Sequence, residues 1–156
     1  MRRVIALITL LTVVITALPV SAEENECYII CNPKSYVCVR RSPKKGAEET
    51  GRLDFGDNFI TDGKKKNGFI HVIGITEAGD GWIFAGNVIS DKPEKLKNAR
   101  ATVAATGRVM SYRWVNGSKN CWINVGSELV VLAISNDWAV TNKGYIRTQY
   151  LEVWYE

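Results

Sequence analysis

Short apolar runs, each broken off by turn residues, recur along this chain. Residues 69–73, 82–84, 129–134, 138–140 and 145–146 are rich in β-branched and aromatic side chains, with glycine, asparagine, aspartate and lysine between them. That alternation of run and turn predicts strands. No segment keeps the 3.6-residue apolar period of a helix. Regularly spaced strands of this kind predict an all-β protein, a small barrel or sandwich.

The pattern also repeats. Placing Val39 on Val109 puts Leu53 on Ile123, Phe55 on Val125, Gly56 on Gly126 and Phe59 on Leu129, all at one offset of 70. Further on, Gly81-Trp82-Ile83 falls on Gly144-Tyr145-Ile146 and Val88 on Leu151 at an offset of 63, so the first copy carries seven extra residues. Comparing the stretch from Phe69 to Gly81 with that from Trp138 to Gly144 places them in the turn at 76–80 rather than the one at 62–68. The polar stretch 90–95 is the predicted linker, giving units 23–95 and 96–156. A unit of about 60 residues buries just enough apolar surface to fold alone, and closing its sheet into a barrel would remove exposed edges.

The N-terminus sets the compartment. Met1, Arg2 and Arg3 precede an apolar run from Val4 to Val20, which closes on Val20-Ser21-Ala22 and is followed by Glu23, Glu24 and Glu26. This is the layout of a signal peptide cleaved after Ala22, and the run is short of the ~20 residues that cross a bilayer. Residues 1–22 are therefore predicted to be removed, leaving a secreted protein with no membrane attachment. Glu24-Asn25-Glu26 before Cys27 does not fit a lipoprotein box.

Charge and cysteines add less. Loss of Arg2 and Arg3 lowers the net charge from +4 to +2, and Lys44-Lys45 and Lys64-Lys65-Lys66 are interleaved with acids, so no nucleic-acid-binding face is expected. Cys27, Cys31, Cys38 and Cys121 would meet an oxidising environment in which disulfides form. Cys27 and Cys31 would sit about 13 Å apart on one extended strand, too far to join. Of the three possible connectivities none is singled out further, although Cys31 and Cys38 could face each other across the Asn32-Pro33 turn.

In the first copy, Val37-Cys38-Val39-Arg40-Arg41-Ser42-Pro43, Gly56-Asp57 and Gly81-Trp82-Ile83 follow in order. In the second, Asp137-Trp138-Ala139-Val140, Lys143-Gly144-Tyr145-Ile146 and Gln149-Tyr150-Leu151 supply the latter half of the same series. Together they resemble the bacterial SH3 (SH3b) domain. Its signature runs asparagine-valine-arginine-serine-x-proline, glycine-aspartate, glycine-tryptophan-valine and finally tyrosine-leucine. Departures are Cys38 for the asparagine, Asn87 where the second copy has Tyr150, and Met110 where the first has Arg40.

The resemblance implies two small SH3-like β-barrels in tandem after a cleaved signal peptide. It also implies a binding protein, with cell-wall peptidoglycan or another extended peptide as ligand. The alternative is a protein–protein interaction module, an adaptor, inhibitor or host-facing factor. By analogy with SH3 domains, Tyr112, Trp114, Trp138 and Tyr150 would bound a peptide cleft in the second copy. In the first, Phe69 and Asn87 stand at the corresponding positions, beside the signature's Arg40. The second unit is therefore predicted to carry most of the affinity.

Competing readings remain for individual aromatics. Trp138 and Tyr145 lie on strands, where core packing competes with a place in the cleft. Trp114, in a polar loop, is expected to be exposed, and Trp122 to pack near Ile123 and Val125. Asn116-Gly117 reads as a hairpin turn.

Catalysis is not expected. The single histidine, His71, lies in an apolar strand and reads as structural, and no nucleophile elbow or phosphate-cradling loop is present. Secretion and the lack of a tight cysteine pair argue against zinc, so neither cofactor nor metal is predicted.

Overall fold

A computed structural model describes residues 25–76 and 79–156; the predicted signal peptide lies outside them. Among the described residues no helix is long and apolar enough to cross a membrane. The protein is all-β, with two antiparallel sheets.

The first sheet is built from β1 (Asn25–Ile29), β2 (Tyr36–Arg40), β3 (Glu49–Asp54), β4 (Asn58–Thr61), β5 (Lys65–Lys66), β6 (Phe69–Thr76), β7 (Gly79–Phe84) and β8 (Val88–Ile89). A 3₁₀ turn, Ala85–Asn87, joins the last two. The second sheet holds β9 (Glu94–Val103), β10 (Val109–Tyr112), β11 (Lys119–Ile123), β12 (Glu128–Ile134), β13 (Trp138–Thr141), β14 (Gly144–Arg147) and β15 (Leu151–Tyr155). Thr148–Tyr150 forms the matching 3₁₀ turn before β15.

Strand order shows the repeat more directly than the residues do. The first sheet runs β3-β2-β7-β6-β4-β1-β8, with β5 attached to β6, and the second runs β11-β10-β14-β13-β12-β9-β15. The orders coincide strand for strand. Single hydrogen bonds coincide too: the N–H groups of Ile29 and Val103 donate to Asp57 and Ser127, and those of Ile30 and Ala104 to Asn87 and Tyr150.

These equivalences correct the repeat register in one place. Val37 pairs with Leu53 and Val109 with Ile123, so Val109 corresponds to Val37 rather than Val39. Val39 then falls on Ser111, both fully buried, and Arg40 falls on Tyr112, their partners being Trp82 and Tyr145. The loop after β10 is two residues shorter than the loop after β2, and an ungapped comparison hides this. The extra residues of the first copy lengthen the β6–β7 hairpin. Its pairing continues from Val72–Gly81 to Thr76–Gly79, whereas β13 and β14 stop at Thr141–Gly144.

Alternation along the strands builds the cores. Ile29, Val37, Val39, Leu53, Phe59, Ile70, Val72 and Ile83 pack together in the first unit. Leu96, Ala99, Ala101, Val131 and Ala139 form one cluster of the second, and Val103, Val109, Ile123, Leu129 and Ile146 another. A further cluster joins the units: Ile30 and Ile89 meet Val115, Ala133, Trp138, Val140 and Tyr145. There the Tyr145 hydroxyl donates to the Ile30 carbonyl, and burial raises its pKa. Residues 90–93 connect the sheets, with Pro93 buried and Asp91 accepting from the Asn136 N–H at 2.8 Å.

Two expectations are corrected. The sheets do not close into barrels; β3 and β8 end one ladder and β11 and β15 the other. In neither sheet do the two end strands pair with each other; in the first, Gly56 (φ +83°) and Asp57 of the turn after β3 bond to Ile29 of β1. The four cysteines are free thiols. With Val37 and Val39 directed into the core, alternation turns Cys38 to the other face of β2, away from buried Cys31. The Cys31 thiol instead donates to the backbone oxygens of Asn32 and Ser35, and burial pushes its pKa up to about 11.

Candidate functional site

Each sheet carries a groove, and the two linings share several equivalent positions. In the second unit the groove is lined by Tyr112, Asn136, Asp137, Arg147, Thr148, Gln149 and Tyr150, and has a volume of about 710 Å³. Trp138 does not line it but packs behind two of the residues that do, Tyr112 and Arg147. The tight β12–β13 turn fixes Trp138, with the Ser135 N–H donating to its carbonyl and its own N–H donating to Ser135 Oγ. Tyr112 meets the Trp138 ring edge-on at 5.5 Å between centroids, and the Arg147 guanidinium lies 4.1 Å above the ring centroid. Beyond Tyr112 and Tyr150 a second hollow is walled by Arg108, Met110 and Trp122, where Arg108 stacks over the indole at 5.4 Å.

The first unit's groove, about 490 Å³, runs over Tyr36, Arg40, Lys45, Phe69, Phe84 and Asn87. By strand register, Phe69 corresponds to Trp138, Phe84 to Arg147 and Asn87 to Tyr150. A cation stacks on an aromatic here as well: Arg52 lies 4.2 Å from the Tyr36 ring centroid. Tyr36 and Arg52 correspond to Arg108 and Trp122, so the contact recurs with its partners exchanged.

The predicted site residues therefore separate. Tyr112 and Tyr150 line the second groove, the latter 37% exposed. Trp138 is only 3% exposed and does not line the groove, because β13 is buried along its whole length; it packs behind Tyr112 and Arg147. Trp114 is half-buried and does not line the second groove. It lies against Phe84, 5.3 Å between centroids, and lines the groove of the first unit. Arg40 and Phe69 line that groove too, Phe69 as a buried floor residue.

Trp122, expected to pack, is 56% exposed: Ile123 takes the inward position on edge strand β11, and its neighbour must face out. The aromatic–arginine pairs Tyr36–Arg52 and Arg108–Trp122 were not foreseen. The two-residue gap in the repeat, once seen, aligns them.

His71 lines neither groove. Its Nδ1 lies 3.1 Å from Asp62 Oδ2, and its ring packs against Trp82. The Lys64 ammonium, 2.6 Å from the same oxygen, together with the Lys64 N–H and His71, holds the Asp62 carboxyl down to about 2. A carboxyl depressed in the folded state stabilises above its unfolded pKa, near 4, and loses that contribution as pH falls toward 2. Because Lys64 is mostly exposed, the contribution is at most about 1 kcal/mol. Urea titrations between pH 5 and pH 2 are expected to show a steeper loss of stability for the native chain than for Asp62→Asn. Parallel curves would refute this. No group of three or more His, Cys, Asp or Glu side chains is arranged to hold a metal ion among the described residues.

No family model matches the chain, and no curated protein matches it. Among solved structures, NlpC1 from Trichomonas vaginalis aligns at 19% identity and a TM-score of 0.38, covering 92% of this chain and 50% of that one. NlpC2 from the same organism aligns at 16% identity and 0.37, covering 85% and 49%. The chain thus spans about half the length of these proteins. The description of its fold rests on its own strand order and register.

Proposed function

We propose that this protein is an exported, non-catalytic binding protein whose two SH3b-like units, 23–95 and 96–156, hold extended peptides, with the peptides of cell-wall peptidoglycan as ligand. The observation that carries the reading is the occurrence in both sheets of a groove with aromatic lining over several equivalent positions. Each combines flat rings, which offer contact area at little entropic cost, with an arginine on the lining. Arg147 in one and Arg40 in the other supply the charge that a peptide carboxylate needs. Both grooves on one chain would add avidity wherever one polymer reaches both.

The test is co-sedimentation of the full chain with purified wall sacculi. Tyr150→Ala is expected to weaken retention about tenfold, the effect of losing one aromatic anchor. Tyr155→Ala, at an exposed ring on β15 outside the grooves, should leave it unchanged. Failure of the native chain to sediment, with capture of a defined protein instead, would replace this reading by the protein–protein one.

A further inference from the structure

The loop that joins β10 to β11 reaches out of its own unit. Its ends are tied by the Arg113 N–H donating to Ser118 and the Gly117 N–H donating to Trp114. Asn116, at φ +52°, turns the chain, and its side-chain oxygen accepts from Arg147 at 2.9 Å. The Val115 N–H then donates to the Gly86 carbonyl of the first unit at 3.0 Å. That bond fixes the loop against the neighbouring 3₁₀ turn.

Trp114 is thereby held between two glycines. A β-carbon on Gly86 would come 2.4 Å from Trp114 Cδ1, and one on Gly117 would come 2.0 Å from the same atom. Only glycine leaves room for the indole at either position, since a rigid ring has no flexible end to move aside. Edge-to-face contact with Phe84 completes the seat. So placed, the indole lines the groove of the first unit, opposite residues carried by β2.

The charge of this groove is one-sided. Arg40 and Lys45 line it, no acidic side chain does, and neither cation takes part in an ion pair among the described residues. Arg40 uses one nitrogen to donate to the Ala47 carbonyl at 2.7 Å, which holds its guanidinium in place and leaves other donors available. Glu49, opposite Arg40 on β3, offsets part of that charge from outside the lining. Aromatic walls with two lining cations suit an apolar peptide segment ending in a carboxylate, and 490 Å³ lies in the range of small-ligand sites.

We infer that the first unit's groove is a composite site, completed by Trp114 of the second unit, and that its occupant is the carboxylate end of a short peptide. This rests on the peptide-binding reading above and adds which residues do the binding. The groove exists only while the two units stay packed together. Separating them would remove one of its walls, so each half alone would understate the binding of the whole.

The experiment uses the full chain and a synthetic peptidoglycan stem tetrapeptide, as the free acid and as its C-terminal carboxamide, by titration calorimetry. The acid is expected to bind at least tenfold more tightly than the amide. Trp114→Ala should weaken the acid at least tenfold, with Trp114→Phe between the two. Lys45→Gln, at an exposed side chain without structural bonds, and Arg40→Gln should each shrink the acid-to-amide ratio, which a merely unfolded variant could not do selectively. If Trp114→Ala and Lys45→Gln bind like the native chain while Tyr150→Ala does not, the composite groove is wrong and the general reading stands. If the native chain binds neither peptide, both fall.

Discussion

Alanine in place of Gly144 is expected to lower the thermal midpoint by at least about 10 °C, the largest effect of any single methyl group in this chain. The backbone there sits at φ +104°, a region that side chains rarely enter, and the added carbon would lie 2.5 Å from the Tyr112 carbonyl oxygen. Strain of the backbone and overlap with a main-chain atom add to about 3 kcal/mol, and each kcal/mol moves the midpoint of a unit this size by about 4–8 °C. Two comparisons isolate the causes. Gly126→Ala has a positive φ but open space around it and should lose only about 1 kcal/mol. Gly81→Ala lacks the positive φ and meets chiefly the Val39 side chain, so it should fall between the two. Differential scanning calorimetry reads all three; equal shifts for Gly144 and Gly126 would show that the close approach to β10 is not the cause.

Trp138→Ala is the second large effect, with about 3–5 kcal/mol lost, as for other buried aromatic rings cut to alanine. Its location makes the loss distinctive. Trp138 belongs to the cluster that also contains Ile30 and Ile89, so the cavity opens between the units rather than inside one. Hydrogen exchange should therefore quicken at the amide of Ile30, in the other half of the chain, as well as at neighbours on β13. Acceleration confined to residues 94–155 would mean that the shared cluster does not couple the two sheets. Trp138→Phe, which keeps an apolar ring in place, should restore most of the loss.

What the sequence reveals here divides along physical lines. Period-two patterning marks the strands, and repeated apolar positions locate the second copy, because both are properties of a strand and its own two faces. Barrel closure is not local. It depends on whether the end strands β3 and β8 meet, a long-range pairing that no run of residues displays. Tyr112 and Tyr150 were legible as groove residues because they stand near the signature's own positions. Trp114, expected in the cleft of the second unit, lines the groove of the first: its loop crosses to Gly86, a contact between residues far apart in sequence. Trp122 was misread for a simpler reason, since apolar neighbours in sequence suggest shared packing and an edge strand offers it to only one of them.

The exchanged stacking pairs have one more consequence. In the first unit the cation comes from β3 and the ring from β2; in the second the ring comes from β11 and the cation from Arg108, the residue just before β10. Compared residue by residue, the two halves disagree at both positions, although each keeps the same contact. A chain compared with others by its letters alone is penalised twice for a difference that leaves the geometry of the pair intact. Similarity scored over pairs of facing positions would find kinship at these two positions, where single-position comparison finds none.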